Sequence, residues 1–308
     1  MLQFGIDLGG TKTEIIVLDT QGNTLLRRRE ATPSHHYDAI VSTITTMVND
    51  AASELQTTDF TLGIGIPGAI SPATGLIKNA NTTCLIGKDF QGDLQQRLQR
   101  PVRLANDADC LALSEASDGA GAGYATVFAV IIGTGCGGGW VVNGRLLGGP
   151  NAIAGEWGHN PLMWRTAQDG EFSCYCGQKG CLETLLSGTG MRRQALLETG
   201  IDRLAQDWAT LAESGDAVAQ QVLDHYYLRL AKALAGVINL MDPHVIVLGG
   251  GVSNMPGIYQ AVPRLWGDYV FSDTVVTPLK KARHGDSSGV RGAAWLGASA
   301  TTTNGDPS

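Results

Sequence analysis

At 308 residues, with 43% hydrophobic and 17% charged side chains, the chain exceeds one ordinary core and reads as a water-soluble globular protein, with two α/β domains closing on a cleft as its default architecture. Its 29 acidic residues outnumber 22 lysines and arginines by seven, a balance that repels polyphosphate backbones and argues against nucleic acid or anionic membrane as partners. No apolar run free of glycine and charge reaches membrane-spanning length, and the four residues ahead of Gly5 leave no space for a signal sequence, so the cytoplasm is the expected compartment.

The first apolar run, Leu2 to Ile6, meets a glycine turn, and Glu14 to Leu18 resumes as a second strand before Gln21, Gly22 and Asn23 turn the chain again. This is a β-meander. Its turn, Asp7, Leu8, Gly9, Gly10, Thr11 and Lys12, offers N–H groups unobstructed by Cβ atoms, a hydroxyl, a cation and a carboxylate suited to magnesium. That set suits a nucleoside triphosphate, and an ordinary tight hairpin is the plainer alternative. It is neither a Walker loop nor a Rossmann fingerprint, because a strand follows it rather than a helix.

Tyr37 to Leu55 carries apolar residues at helical spacing, and Leu62 to Ile66 is a strand stopped by Pro67 and Gly68. After the short strand Val102 to Leu104 comes an acidic cluster, Asn106, Asp107 and Asp109. In a phosphoryl transfer one carboxylate takes the proton of the attacking hydroxyl, and Asp107 is the candidate base. The same composition also suits a helix N-cap, so Asp107 as base, Asn106 on a sugar hydroxyl and Asp109 as cap or solvent-facing group stand together. A domain boundary is expected near Leu113 to Gly123, giving domains 1–115 and 116–290, with a C-terminal helix near 290–298 packing back on the first.

The second half repeats the opening device. Thr126 to Ile132 is a strand, Gly133, Thr134, Gly135, Cys136, Gly137, Gly138 and Gly139 a glycine-rich turn, and Trp140 to Asn143 the returning strand. Two such hairpins facing one ligand imply a duplicated architecture around a cleft. Residues Asp202 to Met241 read as predominantly helical, with Leu223, Leu230, Leu234 and Ile238 on a buried stripe. A last strand, Val245 to Leu248, ends in Gly249, Gly250 and Gly251, which suit either an adenosine ring lying against backbone or a turn leading into a helix. The tail from Ser299 to Ser308 lacks apolar periodicity and is expected to be loose.

His159, Cys174, Cys176 and Cys181 complete one imidazole and three thiolates, a closed tetrahedral zinc shell that staples a loop rather than performing catalysis. Four protein ligands leave no open position for a hydrolytic water, which argues against a zinc hydrolase. Glu156 and Glu183 flank these ligands and suit hydrogen bonds from sugar hydroxyls. Cys84, Cys110 and Cys136 read as buried small hydrophobes.

The order Asp7-Leu-Gly-Gly-Thr-Lys12, Asn106-Asp-Ala108, Gly133-Thr-Gly135, Glu156 to His159 and Cys174 to Glu183 resembles the ROK family of bacterial sugar kinases and repressors across nearly the whole chain. Lys78 to Asn81, Ala154 to Pro161 and His284 to Trp295 look most like its manno(fructo)kinase branch. The resemblance implies two actin-like (ribonuclease H-like) domains flanking a nucleotide and sugar cleft. It also implies ATP, magnesium and structural zinc as cofactors, a homodimer, and fructose, then mannose, phosphorylated at the 6-hydroxyl. It places Asn81, Asn106, Asp107, Glu156, His159 and Glu183 on the sugar, His159 also on zinc, Asp7 near magnesium, Thr11 and Thr134 near the phosphates, and the segments Gly5, Ile6 to Lys12 and Gly133 to Trp140 in its nucleotide loops. Other hexose kinases of the family, for glucose, N-acetylglucosamine or N-acetylmannosamine, are the alternatives. A repressor needs a helix-turn-helix ahead of the first hairpin, and a non-catalytic sugar sensor has no use for Asp107.

Overall fold

The computed structural model describes residues 1–298; the tail, expected to be loose, lies outside the described residues. In the first half, β1 (Leu2–Leu8), β2 (Lys12–Leu18) and β3 (Thr24–Ala31) form an antiparallel meander, followed by α1 (Tyr37–Glu54) and β4 (Phe60–Ile66). A small hairpin of β5 (Ala69–Ile70) and β6 (Ile77–Lys78), then α2 (Phe90–Leu98), lead to β7 (Arg103–Asn106) and α3 (Asp107–Ser117). Strands β4 and β7 extend the sheet in parallel from β1, giving the order β3-β2-β1-β4-β7.

The second half repeats this plan. Strands β8 (Thr126–Ile132), β9 (Cys136–Val142) and β10 (Arg145–Leu146) form the meander. Four helices follow: α4 (Glu183–Leu186), α5 (Gly188–Thr199), α6 (Ala205–Glu213) and α7 (Ala217–Met241). Then β11 (Val245–Gly249), α8 (Ile258–Leu265), β12 (Leu279–Lys281) and α9 (Ser288–Ala298) complete the described chain. The sheet order is β10-β9-β8-β11-β12, with β11 parallel to both neighbours.

Both sheets are covered on both faces, which is why their central strands read as continuous apolar runs rather than alternating ones. On the first, α1 supplies Ile40, Ile44, Met47 and Val48 to a core with Phe4, Ile6, Leu8 and Ile64. On the second, α7 buries Leu223, Leu230, Leu234 and Ile238, the stripe read from the sequence, against Phe128, Val130 and Ile132. Asp216 starts α7 by accepting the Ala219 N–H at 2.8 Å.

The opposite faces are served crosswise. Helix α9 follows the second sheet yet packs on β1 and β4 of the first, where a Cβ on Gly5 would overlap the Val290 carbonyl and one on Gly63 the Ala293 carbonyl. Helix α3 follows the first sheet and packs on β8 and β9 of the second, with the Ala108 backbone against Gly139. The two helices meet each other between the sheets, Gly292 seated on the Cys110 carbonyl.

Several expectations need correction. Val245 to Leu248 is not the last strand, since β12 pairs beside it. The helical stretch from Asp202 is two helices, divided where Gly215 takes φ +91° and Asp216 caps the second. Helices α2, α5 and α8 were not predicted. Cys110 and Cys136 are buried as expected, whereas Cys84 is half-buried and its thiol donates to the Ser34 carbonyl at 3.2 Å. No helix among the described residues is long and apolar enough to cross a membrane.

Candidate active site

Parallel pairing of β1, β4 and β7 brings their carboxyl ends together, so Asp7, Ile66 and Asn106 emerge on one edge, immediately before α3. Asn106 caps that helix, its Oδ1 accepting the Asp109 N–H at 2.6 Å, while Asp107 begins it with Oδ1 accepting the Ala108 N–H at 2.8 Å. The cap is therefore Asn106. This leaves the second carboxylate oxygen of Asp107 free to face the cleft.

A cavity of about 290 Å³ opens there, walled from the first half by Asp7, Leu8, Gly9, Pro67 and Asp107, and from the second by Ile131 and Gly250. Asp286, just ahead of α9, and Ser288 and Gly289, which begin it, close the cavity. Asp286 carries no motif of its own, and only its position in a Gly-Asp-Ser run before a helix hinted at a role. A second cavity of about 180 Å³ adjoins Asn106 and Asp109, and is lined also by Ile70, Leu147, Gly149 and Ala154.

The carboxylates crowd one another. Burial, then the charges of Asp107 and Glu14, raise Asp7 to about 6 against the partial relief of Arg29. Burial raises Asp107 as well, against hydrogen bonds at the start of α3; a face of its side chain stays open to solvent at the cleft floor, but protein surrounds the rest. Asp109 is pushed to about 7 by burial, Glu156 and Asp107. A site that raises several carboxyls together is set up to welcome a divalent cation or to hold a proton.

The glycine segments divide by what they face. Gly5 and Ile6 are core residues, Gly5 serving the close approach of α9, and so point away from the cleft. The turn itself, Gly9 and Gly10 with Thr11 and Lys12, is held by Gly9 N–H donating to the Lys12 carbonyl at 2.9 Å and by Thr32 Oγ1 donating to the Gly9 carbonyl at 2.8 Å. In the second hairpin, Cys136, Gly138, Gly139 and Trp140 are buried, and Trp157 donates its indole N–H to the Gly137 carbonyl at 3.0 Å. Only Gly133, Thr134 and Gly135 form an accessible turn. Gly249 is packed against Leu111, while Gly250 turns with φ +83° beside the Ile132 backbone and opens onto the larger cavity; Gly251 has open space before it.

Zinc chemistry fits its residues. The ligand atoms of His159, Cys174, Cys176 and Cys181 all lie within 4.8 Å of one another, although they come from a 3-10 turn (Trp157–His159) and a distant loop. Cys174 Sγ is 3.6 Å from His159 Nδ1, so the imidazole turns that nitrogen to the thiols and its Nε2 toward the Tyr175 hydroxyl at 3.0 Å and the Glu156 carboxylate at 4.0 Å. Three soft sulfurs and one imidazole form a donor set that favours zinc over magnesium or calcium.

The loop is fastened to the second hairpin. Glu183 Oε2 accepts the Cys136 N–H at 3.3 Å, the Gly188 N–H donates to the Gly133 carbonyl at 2.7 Å, and Thr189 Oγ1 donates to the Thr134 carbonyl at 3.1 Å. Asn81 comes from the opposite wall, after β6, with its N–H on the Pro67 carbonyl at 3.1 Å and its side chain exposed.

The sequence profile of the ROK family matches residues 3–300. This chain belongs to the ROK family. It is similar to the N-acetyl-D-glucosamine kinase of Pectobacterium carotovorum subsp. carotovorum (strain PC1), 39% identical over 96% of this chain and 98% of the relative. Among solved structures it resembles the ROK hexokinase of Thermus thermophilus, with TM-score 0.87 and 30% identity over 98% of this chain and 99% of that one. It also resembles a ROK glucokinase of Streptomyces griseus in complex with glucose and AMPPNP, with TM-score 0.76 and 27% identity over 97% of this chain and 100% of that one. The family, an α/β kinase fold with mixed sheets flanking a cleft, and ATP-dependent sugar kinase chemistry follow. The fructose preference drawn from sequence resemblance is overturned, because further relatives at 35–38% identity are also N-acetyl-D-glucosamine kinases rather than fructokinases or mannokinases.

Proposed function

We propose that this protein transfers the γ-phosphoryl group of ATP to the 6-hydroxyl of a pyranose hexose, with N-acetyl-D-glucosamine as its first substrate. The observation that carries the reading is the convergence of Asp7, Asp107, Gly250 and Asp286 on one cavity from both halves of the molecule. The identity to N-acetyl-D-glucosamine kinases across the whole chain supports the choice of sugar.

Asp107 is the base. Burial raises its proton affinity, so it accepts the sugar hydroxyl proton more readily than a solvated carboxylate, while its place at the start of α3 fixes its direction. Asn106, Asn81, Glu156, His159 and Glu183 hold the sugar. The Nδ1 of His159 faces the thiols and its Nε2 faces outward, so one ring serves both zinc and substrate, and loss of the metal displaces a sugar contact. The accessible turns Gly9 to Lys12 and Gly133 to Gly135 supply N–H groups to the phosphates, with Gly250 and Gly251 beside the nucleoside. Asp7 and Asp286 would hold magnesium, which supplies charge neutralisation to the triphosphate when bound.

Residues 1–115 and 116–290 act as two domains that close on the ligands, α9 completing the first, and the active unit is a homodimer. The test is ADP release with magnesium and ATP across N-acetylglucosamine, N-acetylgalactosamine, N-acetylmannosamine, glucose, mannose and fructose. N-acetylglucosamine is expected to show the highest kcat/KM. A lead for fructose or mannose would overturn the substrate assignment and leave the kinase standing, whereas no turnover of any sugar would remove the kinase reading itself.

A further inference from the structure

The chain crosses between the two halves twice, once from α3 through residues 118–125 into β8, and once from β12 through residues 282–287 into α9. Glu115 lies at the meeting of these crossings. Its carboxylate is wholly buried, yet both oxygens are engaged: Oε2 accepts the N–H of Ala120 at 2.8 Å and of Arg283 at 3.0 Å, and Oε1 accepts the Ser288 hydroxyl at 3.0 Å and the His284 N–H at 3.4 Å. One donor comes from the first crossing, two from the second, and the fourth from Ser288, where the second crossing enters α9. A buried carboxylate is costly unless its acceptor positions are filled, and here protein donors fill them.

The surroundings favour the same assignment. Gly119 passes so close to Glu115 that a Cβ there would overlap the carboxylate, and the Gly121 N–H donates to the Glu115 carbonyl at 2.9 Å. Next to it, Asp118 accepts from His284 Nε2 at 2.9 Å and pairs with Arg291, whose guanidinium also donates to the Gly22 carbonyl at 2.8 Å. The second crossing runs directly into Asp286, Ser288 and Gly289, which wall the cavity opposite Asp107.

We propose that Glu115 is a positioning residue for phosphoryl transfer: by bonding both crossings with one carboxylate, it sets where the Asp286–Gly289 wall stands relative to Asp7 and Asp107. Glu115 lines neither cavity, and it acts through the backbone N–H groups and the hydroxyl that it holds. The proposal rests on the reading of that cavity as the nucleotide phosphate site. An amide replaces the carboxylate only in part, because in either orientation its NH2 group meets at least one backbone N–H: those of Ala120 and Arg283, or, turned over, that of His284 beside a Ser288 hydroxyl that must then accept.

The experiment compares E115Q and S288A with the unaltered protein by amide hydrogen exchange, thermal melting and steady-state kinetics. S288A removes one of the four bonds and tests the link if E115Q fails to fold. The expected result is faster exchange confined to residues 118–121 and 283–289. With it comes a rise of about tenfold in KM for ATP in E115Q, the change given by roughly 1.4 kcal/mol, a smaller rise in S288A, and an unchanged KM for sugar. Unchanged exchange in both variants overturns the link between the crossings. Faster exchange with an unaltered KM for ATP and kcat overturns the positioning role. If the unaltered protein phosphorylates no sugar, the proposed function fails, and exchange then decides alone whether Glu115 joins the crossings.

Discussion

The two sheets share one strand order, but their glycine hairpins are supported differently. The first is held by its own neighbours, Thr32 and Lys12 of the same meander. The second is held by a segment far along the chain, through Glu183, Gly188 and Thr189, and that segment is continuous with the His159 and cysteine loop. Duplicated topology thus does not imply duplicated mechanics: one hairpin is self-contained, and the other is tied to the segment that follows the His159 and cysteine cluster.

The largest effect is expected at the floor both hairpins overlook. Asp107→Asn keeps the shape of the α3 start and removes the proton acceptor, so kcat should fall by roughly 10²- to 10⁴-fold while sugar binding, followed by titration calorimetry, persists. Lost binding with intact turnover of the bound fraction would show that Asp107 is a sugar ligand rather than the base. Next in size is the support of the cysteine loop. Arg229 is buried and bridges Asp169 at 2.6 Å to Glu198, joining α7 to the loop and to α5. Arg229→Met leaves the buried Asp169 without its cation and Glu198 with only His225 and Gln194, and should cost about 3 kcal/mol in denaturant unfolding.

Cys176→Ser tests the contrast between hairpins directly. Zinc content by mass spectrometry should drop, exchange at residues 133–136 and 156–189 should quicken, and residues 9–12 should keep their protection. Equal loosening of both hairpins would refute their independence. The counterpart, Thr32→Val, deletes the bond to the Gly9 carbonyl and should cost about 1 kcal/mol, with exchange changed only around the first turn.

Much of this contrast was legible in the sequence, and the illegible part has a physical reason. Both glycine turns, α1, the α7 stripe and the three thiols with His159 are local patterns, so spacing alone exposes them. Strand β12 is three residues long with Lys280 and Lys281 in it, and α8 contains Pro263, so neither carries a clean period. Glu115 and Asp286 owe their positions to the crossing of α3 and α9, which no local window contains. Gly5 shows the converse error: a glycine beside a phosphate-type turn is there for helix packing, and only the partner backbone reveals it.

The last expected effect is a pH response of opposite sign in the two halves. Asp7 and Asp109 have folded values raised to about 6 and about 7 from 3.8, so the folded first half holds more protons than the unfolded chain through that interval. Its stability, measured without nucleotide or magnesium, should therefore fall as pH rises from about 4 to 7. Asp169 and Glu198 go the other way. Burial alone would raise both, but Thr166 and Arg229 at Asp169, and His225, Gln194 and Arg229 at Glu198, outweigh it and hold them below 3.8 and 4.5. That stabilisation is present above the unfolded values and is lost as pH drops through the folded ones. Hydrogen exchange corrected for intrinsic rates should show β1 and α3 loosening between pH 4 and 7 while α5 and α7 hold, and Asp109→Asn should flatten the first trend alone. A uniform response across both sheets would mean that the halves unfold as one unit and that their carboxylates cannot be read separately.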